Sequence, residues 1–234
     1  MARQWECDYL YTDAEGHNLL RKRRYRVDPP GPDGRSKTFT MQGRPRPRGV
    51  FQGPLWRWYA KHPWLQEYWA SLLYGLLTLL DVRSDRDAVV VGTEGEKDCE
   101  TAWSLGYPAV THWQGAGNFT SGQAAWFKGS RCRYLIVADL DVPGAHCAAK
   151  RLDIVPEVGV PRSRIEVVRA AEGKDLTDHV AAGYGIDDLV PVDIARMRAL
   201  ASTYTPALAR RAGYRPGDDL PASAFRPTSV RRPR

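Results

Sequence analysis

The sequence predicts a mixed α/β fold, in which a mostly parallel sheet with helices on both faces follows a small, basic, β-rich N-terminal region. Two observations support this prediction. Between residues 88 and 182, short apolar strands alternate with helical segments, the pattern that covers a parallel sheet on both faces. Before that, residues 8–27 hold two strand-like segments around a turn at Asp13–Gly16, which is typical of an antiparallel hairpin.

Changes in composition divide the 234 residues into four parts. We predict a basic β-rich region over 1–53, an aromatic-rich linking helix over 54–85, the α/β domain over 86–190, and a helical extension with a tail over 191–234. The Pro- and Arg-rich composition of this tail predicts disorder. The length suits one medium domain with appendages.

The N-terminal region is expected to form strands at 9–11, 19–27 and 38–41, joined by turns and loops. Its second strand is unusually basic, and residues 21–48 contain ten Lys or Arg but two Asp. Alternation makes both faces of this strand basic, which favours a contact with nucleic acid over simple solubility. The residues predicted to make this contact on the strand are Arg21, Lys22, Arg23, Arg24 and Arg26.

Residues 54–80 are rich in Trp, Tyr and Leu. Apolar residues from Leu65 to Leu80 fall near helical spacing, so we expect one helix there. Its most apolar stretch, Trp69–Leu80, is too short to span a bilayer, which needs about 20 helical residues. The segment also contains a cluster of tryptophans, which we expect to pack in the core rather than to stack on bases. The members of this cluster are Trp56, Trp58, Trp64 and Trp69.

Four further strands are expected in the α/β domain, at 88–92, 108–112, 134–138 and 164–169. The intervening helices are expected at 96–105, 121–127, 144–153 and 176–182, and a last one at 194–208. In open parallel sheets, ligands bind beyond the carboxyl ends of the strands. The candidate site therefore lies where these strands end.

Acidic residues follow three of these strands. Glu94 follows the first, Asp139 and Asp141 follow the third, and Asp175 comes after the fourth. Alternation places Asp139 and Asp141 on one side of an extended segment, where they repel each other unless a divalent cation joins them. Oxygen-only ligands suit Mg²⁺ or Mn²⁺. Gly95 is expected to let the backbone turn sharply after Glu94.

These motifs, in this order, resemble the Toprim domain, especially that of phage and plasmid primases and primase-helicases. The similarity covers roughly residues 86–185 and predicts a Toprim-type sheet. The motifs that carry the resemblance are Thr93-Glu94-Gly95-Glu96-Lys97-Asp98, Asp139-Leu140-Asp141 before Gly144, and Gly173-Lys174-Asp175 with Asp178-His179.

The resemblance implies roles for individual residues. Glu94 would be a general acid/base or a metal ligand, Asp139 and Asp141 would bind the metal, and Asp175 would add a nearby carboxylate. Lys97, in the first turn of a helix, would meet a phosphate. Glu96 and Asp98 are interpreted as solvated acids at the helix start. Several other residues are interpreted as structural or solvated rather than catalytic, with phosphate contact open for the last three: His112, His146, Lys150 and Arg151.

The resemblance implies Mg²⁺-dependent nucleotidyl transfer with nucleotide triphosphates on single-stranded DNA. Two alternatives stay open: a Toprim nuclease and a non-catalytic accessory that binds nucleic acid. The four cysteines show no C-x-x-C spacing, so no zinc ribbon is expected, and no G-x-x-x-x-G-K-[ST] loop occurs. A separate zinc-binding or helicase subunit is therefore a possible partner.

The composition agrees with a nucleic-acid partner. The net charge is +7, which favours binding to polyanions. The N-terminus lacks an apolar signal-peptide core, so we expect a cytoplasmic protein without a membrane segment. In such a compartment the cysteines are expected to be reduced.

Overall fold

Two sheets organise the part of the chain that the computed structural model describes, which comprises residues 2–31, 36–43, 69–115 and 117–205. A three-stranded antiparallel sheet contains β1 (Ala2–Thr12), β2 (Asn18–Asp28) and β3 (Lys37–Gly43). These bounds confirm the predicted hairpin and third strand, although the strands are longer than expected.

The hairpin turn is held by Asp13, whose carboxylate accepts hydrogen bonds from the backbone N–H groups of Glu15 and His17 at 3.0 and 2.8 Å. Such a side-chain bond to the backbone two residues on is the usual device of Asp in turns. It sets the register in which Tyr9 lies opposite Lys22.

The second sheet has six strands in the order β4-β6-β5-β7-β8-β9. Its strands are β4 (Leu73–Tyr74), β5 (Val89–Gly92), β6 (Ala109–His112), β7 (Arg133–Val137), β8 (Ile165–Arg169) and β9 (Val190–Pro191). The four central strands are parallel, and the two edge strands pair antiparallel to them. Apolar side chains fill both faces, as expected of a covered parallel sheet.

Helices cover both faces of this sheet, which confirms the predicted fold class. One face packs against α1 (Leu76–Val82), α3 (Ser121–Ala124, continued by a 3₁₀ turn over Ala125–Phe127), α4 (Val142–Glu157) and α6 (Ile194–Ala201). The other face packs against α2 (Glu96–Ser104), α5 (Leu176–Ala181) and strands β1 and β2 of the small sheet.

The prediction of a single helix over residues 65–80 is wrong for the part of this range that the structure describes. Leu73 and Tyr74 instead form the edge strand β4, paired with His112 and Thr111. Gly75 then turns the chain with φ of +79°, and a Cβ there would lie 2.1 Å from the Ala109 carbonyl oxygen. Regularly spaced leucines thus serve a strand, a turn and a short helix.

Trp69 is the one member of the tryptophan cluster that lies among the described residues. This side chain is fully buried and stacks edge-on against Trp113, which supports core packing. The predicted features that lie outside the described residues are the linking segment 54–68 with Trp56, Trp58 and Trp64, the basic loop 44–48, and the tail beyond residue 205.

A buried polar contact joins the small sheet to the large one. Glu96, in the first turn of α2, accepts a hydrogen bond from the Tyr11 hydroxyl at 2.5 Å and an ion-pair contact from Lys22 Nζ at 2.6 Å. Its side chain is 6% exposed and that of Lys22 12%. The prediction that Glu96 is a solvated helix-start acid is therefore wrong, because the small sheet covers it.

All four cysteines are free thiols, and three of them are buried. Burial raises the pKa of Cys147 to about 12, which keeps this thiol protonated and unreactive. Across the described ranges, no helix combines the length and apolar character that crossing a bilayer requires.

We predict that Lys22→Met lowers the free energy of unfolding by about 3 kcal/mol, because it leaves the buried Glu96 carboxylate without its cation. Arg133→Met is the matched control, since its pair with Glu166 is 56% and 46% exposed and should lose less than about 1 kcal/mol. Urea unfolding followed by circular dichroism measures both values. Equal losses in the two variants would contradict a tight junction between the sheets.

Candidate active site

The carboxyl ends of β5 and β7 bring three acidic residues to one edge of the large sheet. Glu94 follows β5, whereas Asp139 and Asp141 follow the adjacent strand β7. They interact electrostatically, since Asp141 is among the groups that raise the pKa of Glu94, and Glu94 among those that raise the pKa of Asp139. The structure thus brings together the three residues predicted to be catalytic.

Asp141 caps the N-terminus of α4. Its Oδ1 accepts a hydrogen bond from the Gly144 N–H at 2.7 Å, which leaves Oδ2 for another partner. Glycine at 144 is required by a close approach, because a Cβ there would lie 2.4 Å from the Asp139 carbonyl oxygen. The spacing from Asp139 to Gly144 is therefore explained by how tightly the loop wraps onto the helix.

Glu94 has an unusually high proton affinity. Burial first, and then the charge of Asp141, raise its pKa from 4.5 to about 7. Its Oε2 is buried and has no hydrogen-bond partner among the described residues. Gly95 does not provide the expected sharp turn, because it has the extended conformation, with φ of −120° and ψ of 158°. The orphaned oxygen is free to accept a proton or to meet a cation.

Asp139 lies among the other acids. Burial, followed by the charges of Glu94 and Asp98, raises its pKa well above 3.8. Two such carboxylates at one sheet edge cannot both ionise without a compensating positive charge. This edge therefore retains a proton, recruits a cation, or both.

Lys174 provides one positive charge at this edge. Its Nζ lies 2.8 Å from Asp141 Oδ2, and the two side chains are 34% and 5% exposed. Although burial acts in the opposite direction, attraction to Asp141, Asp139 and Glu94 raises the pKa of Lys174 above its ordinary value. In the sequence, Lys174 belongs to a motif of the Toprim resemblance, but no role was predicted for it. The one sequence feature that could have indicated a role for Lys174 was its position beside Asp175.

Asp98 is the second functional candidate that sequence reasoning missed. It was expected to be solvated, but it is buried and accepts hydrogen bonds from the backbone N–H and the hydroxyl of Thr177, at 3.0 and 2.6 Å. Burial and the charge of Asp175 raise its pKa. The sequence feature that could have indicated it was its place in the first turn of α2, four residues after Glu94.

Asp175 begins α5 and accepts a hydrogen bond from the Asp178 N–H at 2.8 Å. The charge of Asp175 raises the pKa of Asp139 less than the charge of Glu94 does. The structure thus gives it a capping role beside the acidic edge, and its service as a metal ligand stays a prediction.

A buried frame lies beneath Glu94. Arg151, which is 1% exposed, donates to the Thr93 carbonyl oxygen at 2.6 Å and contacts His112 Nδ1 at 3.0 Å. The interpretation that Arg151 lies on a solvated or phosphate-binding face is therefore wrong. Burial lowers the pKa of His112 well below 6.5, and its Nε2 contacts the Gly115 carbonyl oxygen. His112 is thus a neutral structural residue that fixes the end of β6.

Neither of the other polar candidates on α4 faces the acids directly in the described contacts. Lys150 Nζ donates to the Gly117 carbonyl oxygen at 2.9 Å. His146 stacks on Tyr204, with ring centroids 4.2 Å apart. Lys150 therefore holds the loop after β6, and His146 packs against the segment that follows α6.

The donor set of the acidic edge suits Mg²⁺ or Mn²⁺. Glu94 contributes an orphaned oxygen, Asp139 a carboxylate raised in pKa by its neighbours, and Asp141 a buried carboxylate. Hard divalent cations prefer such all-oxygen ligands. These three residues would hold the ion, and Asp175 would add to the negative charge around it.

Among the described residues, the group whose three ligand atoms lie within 4.8 Å of one another is Asp13, Glu15 and His17. The predicted metal ligands at the sheet edge do not lie that close together. The hairpin group is explained by the turn, because Asp13 Oδ1 already accepts two backbone hydrogen bonds. At the sheet edge, repulsion between carboxylates and the contact of Asp141 with Lys174 oppose a closer approach.

The basic residues of β2 are paired with acids rather than bare. Arg21 and Arg23 contact Asp8 on the outer face of the small sheet, at 3.7 and 2.7 Å. On the inner face, Arg24 and Arg26 contact Glu6 at 2.7 and 3.0 Å, and Lys22 contacts Glu96. Lys97 is exposed on α2. The paired acids partly neutralise these cations, and Lys22, which is 12% exposed, is taken up by the junction between the two sheets.

No protein-family model and no curated protein matches the sequence. Its fold is similar to that of bacterial primase structures. The Aquifex aeolicus primase, with its zinc-binding and RNA polymerase domains, gives a TM-score of 0.52 at 19% identity over 84% of this chain and 39% of that chain. The RNA polymerase domain of Mycobacterium tuberculosis primase DnaG gives 0.52 at 18% identity over 88% of this chain and 62% of that chain.

A third structure, a DnaG primase catalytic domain bound to single-stranded DNA, gives a TM-score of 0.50 at 16% identity over 87% of this chain and 59% of that chain. This chain therefore spans between 39% and 62% of the length of these solved chains. Together the three likenesses show the fold of a primase catalytic core.

We predict that the pH dependence of stability reports the Glu94 proton. Because the pKa of Glu94 is raised from 4.5 to about 7, its contribution is fully present below pH 4.5 and is lost as the pH rises through 7. In Glu94→Gln no proton is required, so its free energy of unfolding should exceed that of wild type by roughly 2–3 kcal/mol at about pH 8 and match it at about pH 4.

Urea unfolding across this pH range measures the difference, with exposed Glu157→Gln as the control variant. That control should follow the wild-type curve. A Glu94→Gln difference that does not change with pH would contradict the assignment.

Proposed function

We propose that this chain performs or supports Mg²⁺- or Mn²⁺-dependent nucleotidyl transfer on single-stranded DNA, as a primase-like core in the replication of a phage or mobile element. The observation that carries the proposal is the meeting of Glu94, Asp139 and Asp141 at the strand ends of a sheet that has the fold of primase catalytic cores. The phage or mobile-element context comes from the resemblance of the motifs alone.

The residues of the acidic edge suit phosphoryl chemistry. A divalent cation held by Asp139 and Asp141 would neutralise phosphate charge and orient the reacting oxygens. Glu94, with a pKa of about 7, is poised to accept a proton from an attacking hydroxyl near neutral pH. Lys97 and Lys174 would add positive charge for the phosphates, on the first turn of α2 and beside Asp141.

Single-stranded DNA is the proposed template, and the small sheet its proposed contact. On the outer face, Arg21 and Arg23 lie in register with Leu10 and Asp8, and the neighbouring Trp5 is 57% exposed. Binding of single strands requires cations that contact the phosphates and, beside them, an exposed aromatic ring on which bases stack. On the inner face, Lys22 contacts Glu96 of α2, the helix packed on the large sheet that carries the acidic edge, whereas Arg24 and Arg26 pair with Glu6.

The proposed protein partners are a separate zinc-binding subunit and a helicase. One of the similar solved chains includes a zinc-binding domain. A separate zinc-binding or helicase subunit would then supply template selection or movement along DNA.

The test is an assay with labelled single-stranded DNA, nucleotide triphosphates and Mg²⁺ or Mn²⁺. Wild type is expected to make short oligonucleotides. Asp139→Asn/Asp141→Asn should lose at least about 10²-fold in rate, because the cation loses its charged ligands. Binding of DNA should persist in that variant, and should weaken and become less steeply dependent on salt in Arg21→Gln/Arg23→Gln.

Circular dichroism and thermal unfolding show whether each variant is folded. Shortening of the labelled strand by wild type would identify a nuclease instead. Binding with neither synthesis nor cleavage, also in the presence of a zinc-binding or helicase partner, would refute catalysis and leave an accessory role.

A further inference from the structure

Lys174 occupies the position at which a cation would meet Asp141. Its ammonium lies 2.8 Å from Asp141 Oδ2, the oxygen that the cap of α4 does not use. The Asp141 side chain is 5% exposed and that of Lys174 34%, so the pair is shielded from water on the side of the carboxylate.

The backbone around Lys174 is fixed from both sides. Its N–H donates to Asp178 Oδ2 at 3.1 Å, and its carbonyl oxygen accepts from the Leu140 N–H at 3.0 Å. Leu140 is the residue between Asp139 and Asp141, so this bond ties the lysine directly to the acidic loop.

Gly173 makes this arrangement possible. Its φ is +78°, and a Cβ there would lie 2.3 Å from Cβ of Asp178. The turn that precedes Lys174 therefore accepts only glycine without rearrangement. The lysine is positioned by the fold and is not a chance neighbour of Asp141.

Charge balance explains what such a lysine does. Glu94, Asp139 and Asp141 share one edge, and Lys174 contributes a single positive charge to it. A divalent cation contributes two, and it needs the same Asp141 oxygen. Because an ammonium and a divalent cation repel each other, both cannot contact that oxygen closely. The four-carbon stem of lysine lets the ammonium move away while the backbone stays fixed.

We propose that Lys174 is a resident counter-ion that competes with the divalent cation for Asp141 and so sets the cation affinity of the acidic edge. This inference rests on the metal site of the proposed function. Lys174 thereby neutralises part of the negative charge of the acidic loop until the cation arrives and displaces its ammonium from Asp141.

The first test is a titration with Mn²⁺ followed by electron paramagnetic resonance. Lys174→Met keeps the length of the side chain and removes the competing charge, so the Kd for Mn²⁺ should fall about tenfold. Lys174→Arg keeps the charge and should stay near the wild-type value. Lys128→Met is the matched control, because this exposed lysine lies before β7, away from the strand ends.

Thermal unfolding gives a readout that is independent of activity. Without divalent cations Lys174→Met should unfold at a lower temperature than wild type, and added Mg²⁺ should raise its Tm more than it raises that of wild type. An unchanged or weaker Mn²⁺ affinity in Lys174→Met would overturn the inference.

A second measurement uses the wild-type protein and covers the case in which Lys174→Met does not fold. Lysine ammonium groups are followed by ¹H–¹⁵N NMR, and the Lys174 resonance is identified by its loss in Lys174→Arg. Its shift or broadening on addition of Mg²⁺ would support displacement, whereas an unaltered resonance at saturating Mg²⁺ would refute it.

These outcomes separate the inference from the proposed function. A Lys174 effect on cation affinity in a protein that makes no oligonucleotides would leave the inference standing and refute the reaction. Absence of Mn²⁺ binding in every variant would overturn the inference and the metal site together.

Discussion

Mutual repulsion of carboxylates at the carboxyl edge of a parallel sheet is the constraint on which the rest of the structure depends. Glu94, Asp139 and Asp141 are brought to one edge because β5 and β7 are adjacent parallel strands. Burial there makes their ionised forms costly, and this appears as the raised pKa values of Glu94 and Asp139. Such an arrangement is stable only if protons, the Lys174 ammonium or an added cation compensate the charge. The same demand for positive charge is what makes the edge suitable for phosphate chemistry.

The surrounding fold holds this unfavourable arrangement in place. From below, the Arg151 guanidinium is bound to the Thr93 carbonyl oxygen, so the backbone before Glu94 is fixed by a fully buried cation. From the side, Glu96 anchors the small sheet through Tyr11 and Lys22. The first turn of α2 thus separates two carboxylates with different tasks. Glu94 faces the acidic edge, and Glu96 faces the junction between the sheets.

Much of the fold followed from the sequence because the relevant signals are local. Apolar runs located the four parallel strands within a residue or two, and strand ends located the acids. What the sequence could not give depends on which surface covers a residue. Glu96 and Asp98 have the composition of a solvated helix start, and only packing against the small sheet and α5 reveals their burial. The edge strand β4 was taken for helix because leucine spacing does not distinguish a helix from a strand, a turn and a short helix. Lys174 was passed over because its partner, Asp141, is distant in sequence.

One measurement tests directly whether a divalent cation binds where the carboxylates meet. A crystal of the protein grown or soaked with Mn²⁺, measured near the manganese absorption edge, reports the ion by its anomalous scattering. We expect an anomalous peak in contact with Asp139 and Asp141, close to the orphaned oxygen of Glu94. Absence of a peak at this edge in a saturated crystal, or a peak confined to the hairpin turn at Asp13, Glu15 and His17, would contradict this expectation.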